Sequence, residues 1–162
     1  MQEYLIHSQF TLIITWNKDL IERTSLLPPG SGTANCKQGF SRPSRVLQAL
    51  NRCYLEQKNA LWLDAPLNWK KLPPFRARAL KTLLWLIPWG RTVTYSGLAA
   101  MCGNPRAARA VGTAMAGNPW PVIIPCHRVI RAGTGLGGFS SGTDFKKRLL
   151  ALETAPLGCC MS

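Results

Sequence analysis

The first half of the chain alternates as a sheet does, and the second half repeats as helices do. Residues 4–15 run Tyr-Leu-Ile-His-Ser-Gln-Phe-Thr-Leu-Ile-Ile-Thr. Such β-branched and aromatic enrichment predicts one or two strands, with a turn near His7-Ser8-Gln9. Residues 20–27 predict another strand, ended by the loop Pro28-Pro29-Gly30-Ser31-Gly32. A helix starts near Ser44, because Val46, Leu47, Leu50, Cys53 and Tyr54 recur at helical spacing. Leu61-Trp62-Leu63 reads as a further short strand, and 66–74 as a linker bounded by Pro66 and Pro74.

Beyond that linker, Pro74 opens a helix over 75–86 with Phe75, Ala79 and Leu83 on one face, stopped by Pro88-Trp89-Gly90. Thr94 caps a second helix over 95–101, which Gly103 stops. Asn104 caps a third, with Pro105 at its first position, running to Ala116 and closed by Gly117. Two short helices across the turn Cys102-Gly103-Asn104 make a helix-turn-helix candidate. The expected fold class is α+β. A small N-terminal domain of antiparallel sheet plus helix (1–71) precedes a mostly helical C-terminal domain (72–162) with a winged-helix-like helix-turn-helix.

Charge changes the picture. The chain carries 20 Lys+Arg against 7 Asp+Glu, a net +13, and the excess is lopsided. Residues 1–65 hold 7 basic and 5 acidic side chains, whereas 66–162 hold 13 and 2. A basic field on one half attracts phosphates or anionic lipid heads. The third helix offers a surface for such a partner. Ala107, Ala108, Ala110, Gly112, Thr113, Ala114 and Ala116 leave it slim, and Arg106 and Arg109 project from it. A helix so slim either packs tightly in a core or lies close against a partner, and the charge favours nucleic acid.

The six cysteines show no CxxC pair, and a chain of this size needs no disulfide framework. His7, Cys36 and Cys53 are too scattered for a zinc site, so no metal is expected, and His7 reads as a strand residue. No run reaches the ~18 apolar residues of a membrane span. The N-terminus also lacks a signal peptide's basic region and cleavage site. These features point to reduced thiols inside a cell.

Candidate chemistry lies in Ile123-Ile124-Pro125-Cys126-His127-Arg128-Val129-Ile130. An ordinary thiol, with a pKa of about 8.5, is mostly protonated at neutral pH, so a cysteine nucleophile needs a base. His127 is adjacent. On an extended strand the two side chains would face opposite ways, and Pro125 suggests the break that lets them cooperate, directly or through a water. An orienting acid would be Asp144 or Glu153, the two carboxylates beyond residue 65.

Pro125-Cys126-His127-Arg128-Val129-Ile130 resembles the active-site motif of the O6-alkylguanine-DNA alkyltransferases. The segments Thr94 to Ala99, Asn104 to Gly112, Gly117-Asn118-Pro119 and Leu149 to Glu153 also match that family in order and spacing. The resemblance covers 72–153, whereas residues 1–71 are similar only in length and pattern. It implies DNA repair by direct reversal. A nucleotide would be flipped from the duplex, and Cys126 would take the alkyl group irreversibly from O6-alkylguanine, and from O4-alkylthymine, in a single turnover. His127 would act as base through a water, oriented by Glu153, and Asn118 would brace the turn. Arg109 would replace the flipped base in the stack, and Tyr95 would press on the target phosphate. Arg106, Ala107, Ala108, Ala110 and Gly112 would meet DNA. Met115, Val129, Phe139, Ser140 and Pro121 would form the pocket.

The implied partner is double-stranded DNA, bound in the minor groove largely independently of sequence, by a monomer with no cofactor and no membrane. It would work in the bacterial cytoplasm or the eukaryotic nucleus. Phe139 replaces the family's usual tyrosine, and Ser141 and the bulky Trp120 also depart from its pattern, which predicts an altered pocket width. Alternatives are a non-catalytic alkyltransferase-like lesion binder, a helix-turn-helix regulator and a cysteine hydrolase. The first of these lacks the reactive cysteine.

Overall fold

A computed structural model describes residues 1–31, 44–54, 65–133 and 135–154. Strands β1 (Gln2–His7), β2 (Phe10–Asn17) and β3 (Leu20–Leu27) form an antiparallel sheet in chain order. Two-residue turns join them, with His7 opposite Phe10 and Asn17 opposite Leu20. The strands alternate as a half-buried sheet must: Leu5, Phe10, Leu12, Ile14, Ile21 and Leu26 point inward. His7 stacks on Phe10 and its Nδ1 accepts the Gln9 N–H, a turn residue rather than a ligand.

Helix α1 (Arg45–Tyr54) packs on this sheet through Val46, Leu50, Cys53 and Tyr54. Its N-terminus is tied down by Glu3. The Ser44 hydroxyl accepts the Leu47 N–H, while the Ser44 N–H and hydroxyl and the Trp16 indole all donate to the buried Glu3 carboxylate. The expected linker is packed rather than free. Leu67 is buried and bridges Ile21, and a 3-10 turn at Trp69–Lys71 follows.

Helix α2 (Pro74–Leu86) starts on the proline, as expected. Strand β4 (Val93–Thr94) leads into α3 (Tyr95–Met101), whose first turn is capped by the Thr94 hydroxyl accepting from Gly97 N–H. Helix α4 is shorter than the expected Asn104 start, running Ala108–Ala116. The Asn104 side chain accepts the Arg106 N–H and closes a local turn, so it competes with the helix instead of capping it. Strand β5 (Val129–Ile130) pairs in parallel with β4, an element the helical reading of this half omitted. Both strands are two residues long, too short for periodicity to register. Helix α5 (Thr143–Thr154) ends the described chain.

One buried cluster runs from the sheet through α2, α3 and α4 to Leu149 of α5. Trp120 is the hinge pin of this continuity. It is 1% exposed, its indole N–H donates to the Ile21 carbonyl, and its ring meets Trp69 edge-on. Thr24 of β3 adds two hydrogen bonds to the same loop, from its N–H to Pro119 O and from its hydroxyl to Pro121 O. Within that loop Val122 sits at φ 76°, a costly conformation for a β-branched residue, sustained because its surroundings are over-determined. The Leu61-Trp62-Leu63 strand, Cys36 and Cys159-Cys160 lie outside the described residues. Among the described residues no helix is long and apolar enough to cross a membrane, and no group of His, Cys, Asp and Glu could hold a metal.

Candidate active site

Pro125 interrupts the apolar run, and Cys126–Arg128 form a single 3-10 turn before β5. Asn118, on the loop after α4, holds this turn with one amide group. Its Nδ2 donates to Ile124 O at 3.0 Å and to Cys126 Sγ at 3.1 Å, while its Oδ1 accepts the Trp120 N–H. The two Nδ2 bonds join the loop after α4 to the turn that carries Cys126.

His127 is fully buried, and its Nε2 lies 2.8 Å from Glu153 Oε1. Glu153 is the acid that meets the imidazole; Asp144, at the start of α5, is exposed. Arg128 shares the same carboxylate through Nε at 2.8 Å and Nη2 at 2.9 Å, and its Nη1 donates to Ile87 O. Burial alone would raise the Glu153 pKa, but the His127 hydrogen bond together with the hydrogen bonds and charge of Arg128 outweigh it and hold the carboxyl at about 2. Burial lowers the His127 pKa against the pull of Glu153, so the ring is neutral. With Nε2–H given to the carboxylate, Nδ1 is a buried acceptor that has no partner among the described residues.

Burial pushes the Cys126 thiol up to about 11, with the Asn118 hydrogen bond and the Lys146 charge offsetting part of the rise. Cys126 is 4% exposed, and that small opening faces a cavity of about 570 Å³, within the usual size range of small-molecule sites. One wall is α4, where Ala108, Gly112 and Ala116 recur every fourth residue and present a side-chain-poor stripe beside Arg109 and Met115. Tyr95, the first residue of α3, and the segment Gly138-Phe139-Ser140 supply other walls. Gly137, at φ 74°, makes room for the tyrosine, because a Cβ there would lie 2.8 Å from the Tyr95 hydroxyl.

Several expected pocket residues sit elsewhere. Pro121 and Val129 do not line the cavity; the Pro121 carbonyl accepts from Thr24, and that of Val129 from Lys146. Trp120 is sealed against β3, so its bulk does not set the pocket width, and Ser141 is not a lining residue either. Phe139 does line the cavity, edge-on to His127 with ring centroids 6.5 Å apart. Arg106 and Ala110 are exposed on the surface of the helix-turn-helix, and Ala107 caps α4.

Sequence reasoning missed Lys146. Its side chain is fully buried, and Nζ donates to Val129 O at 2.6 Å and Gly138 O at 3.3 Å, 6.0 Å from the Tyr95 ring centre. Burial lowers its pKa, while Cys126 pulls the other way. Lys146 lies three and seven residues before Leu149 and Glu153, both buried, so helical spacing could have singled it out from the Lys146-Lys147-Arg148 run. Arg128, inside the motif itself, was also passed over as a site residue.

Residues 74–155, about half of the chain, match the family described as 6-O-methylguanine DNA methyltransferase, DNA binding domain. The methylated-DNA–protein-cysteine methyltransferase of Homo sapiens is 48% identical over 84 residues, 52% of this chain and 41% of that protein. The match thus spans about two-fifths of the human relative's length. The protein of the same name from Saccharolobus islandicus is 46% identical over 122 residues, 74% of this chain and 77% of that one. Among solved structures, the crystal structure of Mycobacterium tuberculosis OGT in complex with DNA superposes with a TM-score of 0.73 at 28% identity, covering 95% of this chain and 93% of that one. With its cysteine–histidine–glutamate geometry and these alignments, the chain belongs to the 6-O-methylguanine DNA methyltransferase family.

Proposed function

We propose that this protein repairs DNA by direct reversal, moving the alkyl group of O6-alkylguanine, and of O4-alkylthymine, onto Cys126 in one irreversible turnover. The observation that carries the reading is a thiol at the wall of a base-sized cavity, backed by a neutral imidazole whose far nitrogen is held by a carboxylate. In the reaction the Cys126 proton passes to His127 Nδ1 through a water, and sulfur attacks the alkyl carbon. The carbon–oxygen bond breaks, its electron pair stays with the base, and a proton restores the neutral guanine. The products are S-alkylcysteine and an unmodified base, so neither a methyl donor nor a redox cofactor is required.

The substrate base must leave the stack to enter such a cavity, at a cost of a few kcal/mol. Arg109 offsets that cost by standing in for the flipped base, and Tyr95 presses on the target phosphate. The slim stripe of Ala108, Gly112 and Ala116 suits close approach in the minor groove, where contact depends little on sequence. Arg106, Ala107 and Ala110 extend this contact. We take the working unit to be a monomer on double-stranded DNA, with 1–71 as a supporting domain and 72–162 as the reactive one. It would act in the bacterial cytoplasm or the eukaryotic nucleus.

The test is intact mass after incubation with a duplex carrying O6-methylguanine. A gain of one methylene unit per chain, mapped to Cys126 and lost in Cys126→Ala, is expected. A duplex that stays methylated in the presence of excess wild-type protein would sink the reading.

A further inference from the structure

Arg131 is a cavity-lining cation that the mechanism above does not use. It is exposed, it follows β5, and it lines the cavity on a different element from Arg109. Its backbone and stem are anchored. Its main-chain N–H donates to Gly135 O at 3.0 Å, and its stem lies against Gly135, where a Cβ would meet Arg131 Cβ at 3.2 Å. Its charge reaches both Tyr95 and Lys146, favouring the ionised tyrosine and opposing the protonated lysine.

Among the described residues no ion pair joins Arg131 to a carboxylate. The residues lining the cavity include no Asp or Glu, and beyond residue 65 the chain has only Asp144 and Glu153. Glu153 is committed to His127 and Arg128. The cavity lining thus carries two arginines and no acid, with Lys146 nearby. Like charges so placed repel one another in the free protein, an arrangement that favours an anionic occupant. Guanidinium and phosphate are well matched for such a contact.

We propose that Arg131 binds the phosphodiester backbone of the target strand next to the extruded nucleotide, so that the cavity selects a base carried on a backbone over a free base. The two arginines then flank the entrance from separate elements, Arg109 on α4 and Arg131 beyond β5. This assignment rests on the alkyl-transfer reading and adds a specificity residue to it.

The experiment compares wild type, Arg131→Ala and Arg131→Lys on an O6-methylguanine duplex and on free O6-benzylguanine, with duplex affinity measured across a salt series. Arg131→Ala is expected to lower the second-order rate on duplex about fivefold to tenfold more than the rate on free base. The loss should fall mainly on duplex affinity, with the rate at saturating protein little changed. The salt slope of duplex binding should fall by about one, the signature of one lost phosphate contact. Arg131→Lys should restore most of the slope. Equal losses on duplex and free base, or an unchanged slope, would overturn the proposal. Wild type that gains no alkyl mass from either substrate would instead remove the reading on which it rests.

Discussion

Held at about 11, the Cys126 thiol is protonated in the free protein at neutral pH, and a nucleophile in that state depends on its base. His127 meets the requirement because burial keeps it neutral and Glu153 fixes the tautomer that leaves Nδ1 able to accept. The pH dependence of alkyl transfer follows from these two groups. Below the lowered pKa of His127 the base is charged and the rate falls. Above it, and up to the thiol's own pKa, the rate should be level. An inflection in the wild-type rate between pH 7 and about 10, below the thiol's own ionisation, would contradict this assignment. His127→Ala should cost about a hundredfold or more at pH 7, and its rate should climb with pH toward the ionisation of the thiol instead of levelling. At this scale the sequence named Cys126 and His127 by type and neighbourhood, and Asn118 only through the family resemblance. It left Asp144 and Glu153 as equal candidates on residue chemistry, with only the family resemblance favouring Glu153, because which acid of α5 meets the imidazole depends on how that helix docks.

Among the elements, α4 and the segment before α5 shape the cavity, and both depend on the absence of side chains. Ala108, Gly112 and Ala116 open one wall, and Gly137 admits the Tyr95 ring. Gly137→Ala would impose a positive φ on alanine and drive its Cβ into the tyrosine hydroxyl. The expected cost is about 1–3 kcal/mol of stability, read as a lower urea midpoint, together with slower transfer to duplex and free base alike. A variant as stable and as fast as wild type would show that Tyr95 is free to move aside. The helices and sheet strands were legible in the sequence because their periods are long enough to read. The β4–β5 pair was not, being two residues on each side, and neither was the late start of α4, where Asn104 turns its side chain onto the Arg106 N–H.

For the whole molecule, the N-terminal sheet is bonded to the loop that carries Asn118 and leads to Cys126. Thr24 and the Ile21 carbonyl hold Pro119, Trp120 and Pro121, and the strained Val122 sits between these anchors and the reactive turn. Glu153 closes the other side, joining α5 to His127, Arg128 and, at 3.4 Å, the Gly90 N–H. That closure makes stability pH-dependent. The Glu153 carboxyl ionises at about 2 in the fold against an ordinary 4.5, so its contribution is complete above about pH 5 and is lost as pH falls through 2. His127 acts in the same direction, since the unfolded chain gains a proton near 6.5 that the folded ring resists. Urea midpoints should therefore drop between pH 7 and 3, by the equivalent of ~2 kcal/mol for Glu153 alone. A level midpoint over that range would mean that the carboxylate network adds nothing to the fold.

The linear chain by itself determined the strands and helices of regular period, the charge asymmetry and the reactive motif, since each is written in neighbouring residues or in simple counts. Only the tertiary structure decided that Trp120 belongs to the sheet and not to the pocket, that Lys146 is buried beside the reactive turn, and that Arg131 lines a cavity whose described lining holds no acid. Each of those outcomes depends on which surfaces meet across long stretches of chain, from Ile21 to Trp120 or from Arg128 to Glu153. Packing fixes such meetings, and no local pattern records them.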